Sequence, residues 1–259
     1  MTPALIKSLL VTAVAAVALT GCTSPARIAT EKPVRVLYLG DSLSDFDRGS
    51  NHVDRLQAKL DAIQPRYVSI YNYSIRGDYI ERMMDRLNNK PKTYAQDRYA
   101  GMWGVEYDWA FVFLGHNDTR AWSKTNFEVP EMSAEQVRTL YTELIAMLRE
   151  KGVKRIILVS PASMNFELTQ RNAEKAIANM KKNKKDGNAV RYGEPRHVEG
   201  FCDVLRELSK TANVEYLDIY TPMKALEDKA DYLRSTDGVH LTPKGHAWVA
   251  DREFDYLTK

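Results

Sequence analysis

Apolar positions recur with two different periods, which alternate from about residue 34 to about residue 258. Short runs rich in β-branched and aromatic residues predict buried strands at 34–39, 67–71, 109–114, 155–159 and 214–217. Between them, apolar residues three or four positions apart predict helices at 53–63, 80–87, 133–150 and 198–212, and a last helix opened by Thr242 and Pro243. This alternation implies βαβ units and a parallel sheet covered on both faces. The sequence therefore predicts an α/β fold, a three-layer α/β/α sandwich around a five-stranded parallel sheet.

Two stretches refine this pattern. The clearest helix, 133–150, begins with a capping box of Ser133 and Gln136 and is followed by Gly152. The connection 163–196 is long for a strand-to-helix link, so we expect it to carry its own helix near 172–180 and to form part of a lid or cleft wall. Its basic run, 181–185, is typical of a solvated turn, and contact with anionic polysaccharide or lipid headgroups is the alternative.

The first 21 residues predict a secretory signal peptide, because Lys7 precedes an apolar segment too short for a membrane span. The segment ends in Leu19-Thr20-Gly21-Cys22, which resembles the lipobox of bacterial lipoproteins and implies a lipid on Cys22. Residues 22–32 are then a tether, and 33–259 form the folded domain. An ordinary secreted protein or a short anchor is the alternative. Thr23 in place of Asp favours the outer over the inner membrane of a Gram-negative cell envelope.

Composition narrows the functional classes. The chain is 44% hydrophobic and 27% charged, as expected for a folded domain. Its formal charge is +3, and loss of Lys7 with the signal peptide lowers this to +2, so no nucleic-acid partner is expected. With Cys22 modified, Cys202 is the one remaining thiol and no intramolecular disulfide forms. The apolar helical spacing around Cys202 predicts a buried residue, and a nucleophile paired with His197 is the weaker alternative.

Polar residues follow three of the predicted strands. Ser42 comes directly after the first strand, in Gly40-Asp41-Ser42-Leu43, where a serine is placed for chemistry at the carboxyl edge of the sheet. Gly77 follows the second strand and permits a backbone N–H to approach a substrate. Asn117, in Gly115-His116-Asn117-Asp118, follows the third and offers an amide N–H to a developing oxyanion. Each motif alone is also typical of an ordinary turn.

The final motif, Asp237-Gly238-Val239-His240, lies just before the last helix. A serine nucleophile needs a base that takes its proton, and the base needs a carboxylate that orients it. His240 and Asp237 fit these two roles. A turn aspartate beside a surface histidine is the structural alternative for this motif taken alone.

Together the four motifs resemble those of the SGNH/GDSL hydrolase superfamily, in the same order and over almost all of the mature domain. The resemblance implies a flavodoxin-like fold and an esterase in which Ser42 attacks the ester, with His240 as base and Asp237 behind it. It also implies an oxyanion hole formed by the N–H groups of Ser42 and Gly77 and the side chain of Asn117. No cofactor is implied.

The sequence also bears on metal binding and on the substrate class. Four residues are of types that bind metals, but they lack a recognisable ligand spacing, so we expect no metal: His116, Asp118, His240 and His246. The expected substrate is a small-molecule or polysaccharide ester with a short acyl group, such as O-acetyl on carbohydrate. A lipolytic enzyme (lysophospholipase or thioesterase), an acyltransferase and a non-catalytic binding lipoprotein are the alternatives.

The four tryptophans have different expected roles. Trp103 and Trp122 fit either a substrate-stacking or a packing role, and Trp109 and Trp248 are expected in the core.

Overall fold

The computed structural model describes residues 32–258. The predicted signal peptide (1–21), Cys22 and the tether up to residue 31 lie outside the described residues. The strands are β1 (Val34–Gly40), β2 (Val68–Asn72), β3 (Trp109–Phe113), β4 (Ala121–Trp122), β5 (Arg155–Val159), β6 (Val190–Arg191) and β7 (Glu215–Leu217). Five of them form one parallel sheet in the order β2-β1-β3-β5-β7, which is the flavodoxin-like order. The five-stranded parallel sheet is therefore confirmed.

The helices are α1 (Ser42–Asp45), α2 (His52–Ile63), α3 (Ile80–Leu87), α4 (Ala134–Glu150), α5 (Phe166–Lys182), α6 (Pro195–Thr211), α7 (Tyr220–Lys224) and α8 (Pro243–Thr258). Short 3-10 helices lie at Gln96–Tyr99, Met102–Gly104, Ser123–Thr125 and Lys229–Tyr232. The predicted capping box of α4 forms: Ser133 accepts from the N–H of Gln136, whose side chain accepts from the N–H of Ser133. None of the helices within residues 32–258 is long and apolar enough to cross a membrane.

Both faces of the sheet are covered, as its near-continuous apolar strands require. Alternate residues of β1 point to opposite sides. Leu37 and Leu39 belong to the core that β1 and β3 form with α3, α4 and α6. Val36 and Tyr38 belong to the core shared with α2 and α8. This is the predicted three-layer sandwich.

A small second sheet, absent from the sequence-based prediction, ties the long connection to the body of the protein. β4 pairs antiparallel with β6 through Ala121 with Arg191 and Trp122 with Val190. The connection's helix spans Phe166–Lys182 and is longer than the predicted 172–180, because Asn165 caps it by accepting from the N–H of Leu168. The pairing holds the far end of the connection against the loop that follows β3.

A line of buried polar side chains crosses the core between α1, α2 and α8. His52 Nε2 lies 3.0 Å from Ser44 Oγ, and its Nδ1 lies 3.0 Å from Glu253 Oε2. The Tyr38 hydroxyl donates to Glu253 Oε1 at 2.5 Å. Burial and the Glu253 carboxylate hold the pKa of Tyr38 well above its usual range, so the phenol keeps its proton. These hydrogen bonds connect α1, which begins at Ser42, to α8, the C-terminal helix.

His246 extends this contact on α8. Its Nδ1 accepts from the backbone N–H of His52 at 3.2 Å, and the ring is 3% exposed. Burial, with the neighbouring His52, lowers the pKa of His246 to about 4, so the ring is neutral at physiological pH. His246 is therefore a packed residue of the helix interface.

Replacing Glu253 with alanine is expected to lower the free energy of unfolding by about 3 to 5 kcal/mol, because His52 and Tyr38 would lose their buried acceptor. Urea unfolding of the purified protein measures the change. Asp255→Ala is the matched control, since Asp255 is exposed on the same helix. Equal losses in the two variants would contradict a structural role for the buried line.

Candidate active site

The loop after β1 presents Ser42 at the carboxyl edge of the sheet. Asp41 caps α1 by accepting from the N–H of Leu43 at 3.0 Å, so Ser42 opens the helix. Gly40 is required just before it, because a Cβ there would lie 2.8 Å from Ser44 Oγ and 2.9 Å from Ser74 Oγ. Ser42 itself is 8% exposed and lines a pocket. The sharp exit from β1 thus leaves one serine hydroxyl accessible at the sheet edge.

The loop before α8 brings the predicted base and acid to that serine. His240 Nε2 lies 3.0 Å from Ser42 Oγ, and His240 Nδ1 lies 3.0 Å from Asp237 Oδ2. Asp237 Oδ1 also accepts from the backbone N–H groups of Val239 and His240, at 2.8 and 2.9 Å. One aspartate therefore shapes the loop with one oxygen and orients the imidazole with the other.

The protonation state of Asp237 follows from these contacts. Burial alone raises the pKa of its carboxyl group, but the hydrogen bonds from the His240 ring and from the N–H groups of Val239 and His240 outweigh it and lower the pKa to about 2. Asp237 is therefore ionised at any working pH. Ionised Asp237 favours the His240 tautomer that carries its proton on Nδ1 and leaves Nε2 free to accept from Ser42.

A second set of contacts holds this loop against α1. Arg234 pairs with Asp47, and its backbone N–H donates to the His240 carbonyl at 2.7 Å. The Phe46 ring lies 5.1 Å from the His240 ring, centroid to centroid. Gly238 has φ +71° and packs on Asn165, where a Cβ would lie 3.1 Å from that side chain. The loop is thus fixed by charge, ring packing and a close backbone approach.

Asn117 lies in the pocket wall with its amide orientation defined. Its Nδ2 donates to the Asp78 carbonyl at 2.9 Å, and its Oδ1 accepts from Arg120 at 3.4 Å. The second hydrogen on Nδ2 remains for another acceptor. Asn117 therefore has the donor that the sequence analysis expected of it.

Gly77 lies next to Asp78, the residue that Asn117 contacts. Its φ is +76°, a conformation that favours glycine, and its carbonyl accepts from Arg82 at 3.0 Å. Within residues 32–258, no acceptor is bonded to the N–H of Gly77 or to that of Ser42. Gly77 is not among the residues that line the pocket. The structure thus leaves all three predicted oxyanion donors available, two of them in the pocket.

His116 lines the same pocket, but both of its ring nitrogens are occupied. Nδ1 lies 2.8 Å from Asp41 Oδ2, and Nε2 accepts from the Ala162 N–H at 2.9 Å. Since Nε2 is an acceptor, the proton resides on Nδ1 and is donated to Asp41. His116 therefore ties the loop after β5 to the Ser42 loop.

Asp118, like Asp41, accepts hydrogen bonds from backbone N–H groups. Its carboxylate accepts from the N–H groups of Ile80 and Gly115. Asp118 is fully buried, and burial raises the pKa of its carboxyl group to about 7 even though these two hydrogen bonds act to lower it. Among the described residues, no group of three or more His, Cys, Asp or Glu side chains is arranged to hold a metal.

The pocket has a volume of about 160 Å³. Its walls include four residues of the long connection that the sequence analysis did not identify singly: Thr169, Asn172, Val190 and Tyr192. The expectation that 163–196 forms part of a cleft wall is therefore confirmed. The Asn165 cap was a usable signal for the start of α5, but a two-residue strand such as β6 has no periodicity to detect.

The other candidates lie away from this pocket. Trp122 donates to Glu131 at 2.5 Å and Trp103 packs on Tyr107, so neither lines the pocket. Cys202 is 2% exposed, and burial raises the pKa of its thiol to about 12, which agrees with a packing role. Trp109 is buried in the core and Trp248 is half-buried beside it.

Several solved structures resemble the chain in fold. The lipase/acylhydrolase from Enterococcus faecalis superposes with a TM-score of 0.59 at 17% identity, over 87% of this chain and 95% of that one. LAE5, an alpha/beta hydrolase enzyme from the metagenome of Lake Arreo, Spain, gives 0.62 at 17%, over 89% and 98%. Axe2, an acetylxylan esterase from Geobacillus stearothermophilus, gives 0.60 at 17%, over 88% and 95%. At these identities the likeness establishes the fold.

No curated protein sequence matches the chain significantly. A model of the GDSL-like lipase/acylhydrolase family matches residues 38–248, which include Ser42, Asn117 and His240. The match covers most of the chain and runs from the end of β1 past β7 into α8. The chain therefore belongs to the GDSL-like lipase/acylhydrolase family and is an ester-hydrolysing enzyme.

Proposed function

We propose that this protein is a serine esterase that removes short acyl groups, such as O-acetyl groups on carbohydrate, through an acyl-Ser42 intermediate. The observation that carries the proposal is the unbroken line from Ser42 Oγ to His240 and on to Asp237, with 3.0 Å at each step, at the edge of a small pocket. A hydroxyl, a base and an orienting carboxylate in this order are the parts that nucleophilic acyl transfer needs.

Acylation starts when Ser42 Oγ attacks the ester carbonyl carbon while His240 Nε2 takes the hydroxyl proton. The resulting imidazolium is stabilised by Asp237, which stays ionised because the pKa of its carboxyl group is about 2. The bond to the alcohol oxygen then breaks, and His240 returns the proton to the departing alcohol. Water, deprotonated by His240, then attacks the acyl carbon; the bond from that carbon to Ser42 Oγ breaks, and His240 returns the proton to Ser42 Oγ as the acid leaves.

Negative charge on the carbonyl oxygen requires donors that already point at it. Asn117 Nδ2 and the free N–H groups of Ser42 and Gly77 supply them in this proposal. The carbonyl of Asp78 and the guanidinium of Arg120 hold the Asn117 amide, so it need not reorient during the reaction. A preset donor of this kind contributes about 2.7 to 4 kcal/mol to transition-state stabilisation in enzymes that use one.

The preference for short acyl groups is supported by the size of the pocket. Its volume of about 160 Å³ is close to that of an engineered protein cavity, about 150 Å³, that holds one benzene ring. A pocket of this size admits acetate or butyrate and leaves a long acyl chain in solvent. Thr169, Asn172 and Tyr192 add polar atoms to the wall that suit the hydroxyl groups of a sugar. The acetylxylan esterase that shares the fold supports the same substrate class.

A series of p-nitrophenyl esters from acetate to laurate tests the proposal. We expect kcat/KM to be highest for acetate or butyrate and to fall for longer chains. Ser42→Ala is expected to reduce turnover by at least about 10⁴-fold, because it removes the nucleophile. Ser235→Ala, an exposed serine in the His240 loop, is the control and is expected to keep full activity.

If kcat/KM were highest for laurate, the short-acyl proposal would be wrong and the protein would be a lipolytic enzyme. No hydrolysis of any ester by a protein whose far-ultraviolet circular dichroism and cooperative unfolding show it to be folded would overturn the general esterase activity. Acyl transfer to an added alcohol in preference to water would instead identify an acyltransferase.

The pH profile of kcat/KM tests the roles of His240 and Asp237. A single base that must be free to accept the Ser42 proton gives one fall in activity on acidification, with a slope of one. Protonation of Asp237 adds no second fall in kcat/KM above about pH 3, because the pKa of its carboxyl group is about 2. Asp237→Asn is expected to lower kcat by about 10² to 10⁴-fold, since an amide no longer favours the required tautomer. A slope of two, or an unchanged kcat in Asp237→Asn, would contradict these roles.

We also propose that Cys22 carries a lipid that anchors the enzyme in a bacterial cell envelope, with the outer membrane as the expected location. The support is the signal-like sequence that ends at Cys22. In a Gram-negative host grown with labelled palmitate, the protein is expected to take up label and to sediment with outer membranes. Cys22→Ser should lose both properties and Cys202→Ser should keep them. Label retained by Cys22→Ser would refute the anchor.

A further inference from the structure

One wall of the pocket belongs to a helix whose two halves have different surroundings. In its first half, Thr169 and Asn172 line the pocket, and Thr169 and Ala173 are buried. Its second half ends in exposed lysines at 181 and 182, and the loop that follows is exposed up to residue 188. We call residues 166–188 the α5 arm.

The α5 arm holds a concentration of positive charge that is not neutralised within the protein. It contains three carboxylates and six exposed cationic side chains: Arg171, Lys175, Lys181, Lys182, Lys184 and Lys185. Among residues 32–258, no carboxylate lies within 4.0 Å of any of these six cations. Elsewhere, by contrast, Lys244 lies between Asp228 and Asp231. The charge of the α5 arm therefore faces solvent.

The positions of these charges define the length of a ligand that would use them. Asn172 lines the pocket, and Lys181 lies nine residues further along the same helix, or about 14 Å along its axis. A single acetylated monosaccharide at Ser42 does not span that distance. A chain of linked residues does, and a chain with repeated negative charges would reach the exposed cations at the end of α5 and in the loop that follows.

The exposed side chains of the α5 arm favour a soluble polyanion over a membrane as its ligand. Helices that lie on a membrane bury an apolar face with large side chains such as Trp, Phe or Leu. The exposed large hydrophobic residues of the described chain are Tyr94 and Val129, and neither belongs to the α5 arm. Positive charge without an exposed apolar face attracts a charged polymer and raises its rate of association.

We propose that the α5 arm is a substrate-binding surface for an acidic polysaccharide, one with carboxylate or sulfate groups, whose acyl ester enters the pocket at Ser42. The proposal rests on the proposed esterase function and names its substrate class. The lysines at 181, 182, 184 and 185 bind the polymer backbone by charge, and Thr169 and Asn172 contact the sugar that carries the ester.

The test compares a Lys181→Gln, Lys182→Gln, Lys184→Gln, Lys185→Gln variant with the unchanged protein. The probes are O-acetylated polygalacturonate, which is acidic, O-acetylated glucomannan, which is neutral, and p-nitrophenyl acetate. We expect kcat/KM on the acidic polymer to fall about tenfold or more in the variant, and to fall with added salt in the unchanged protein. Activity on the other two probes is expected to stay within twofold.

A control variant removes the same number of charges elsewhere, at exposed lysines of other elements: Lys90→Gln, Lys92→Gln, Lys154→Gln and Lys210→Gln. It is expected to behave as the unchanged protein. An equal loss in both variants, or a loss on neutral glucomannan as large as that on the acidic polymer, would overturn the proposal. Lysine-dependent binding to phosphatidylglycerol vesicles, with unchanged activity on acidic polymer, would overturn it in favour of a membrane surface.

A binding measurement separates this proposal from the proposed function. Ser42→Ala protein is titrated with unacetylated polygalacturonate by calorimetry, with and without the four lysine substitutions. Binding that needs the lysines supports the α5 arm even if no ester is hydrolysed. Absence of hydrolysis on all three probes would overturn the esterase proposal, and absence of lysine-dependent binding would overturn this one.

Discussion

The hydrogen bond between Ser42 and His240 joins residues that are 198 positions apart, and the rest of the site depends on it. It forms only if the end of β1 and the loop before α8 meet at one edge of the sheet. The buried line from Ser44 through His52 to Glu253 helps to bring them together, since it fastens α1 to α8 from inside the core. Ser42 and Ser44 thus lie on one short helix, and each contacts a histidine whose other ring nitrogen contacts a carboxylate. Ser44 is fully buried, whereas Ser42 reaches the pocket.

Most of the sandwich was predictable because both of its faces are apolar, so its strands and helices have clear periods. Among the elements that were predicted, the differences lie at the boundaries, such as β2 at Val68–Asn72 in place of 67–71. The small sheet of β4 and β6 was not predicted. The placement of Ser42 and Asn117 at one edge also followed from the sequence, since residues after parallel strands meet there. The approach of Asp237 and His240, which lie before α8, was implied by the family resemblance. Their chemical roles rest on the proposed mechanism. The structure adds the distances and the tautomers that make that mechanism possible.

The remaining features depend on contacts between segments far apart in sequence, which no local pattern reveals. Glu253 has the appearance of an exposed helical charge, and its burial becomes intelligible only with His52, 201 residues away, beside it. The pocket residues Val190 and Tyr192 are placed by a two-residue strand that pairs with β4. His116 resembles a candidate ligand or base until its two nitrogens are seen to be occupied by Asp41 and Ala162.

The residues of the hydrogen-bonded line and four other residues of the pocket wall come from different parts of the chain. Ser42, Asn117, His240 and the residues that hold them come from loops tied to the sheet, so their geometry changes little without loss of the fold. Thr169, Asn172 and the cations of the α5 arm come from the long connection, which pairs with β4 through β6 and donates hydrogen bonds from Asn165 and Asn172 to the loop before α8. The exposed lysines at 181–185 make none of these contacts, so substitutions there alter charge near the pocket without touching the hydrogen-bonded line. The proposed preference for an acidic polymer therefore depends on residues that can change while the sheet and the hydrogen-bonded line stay the same.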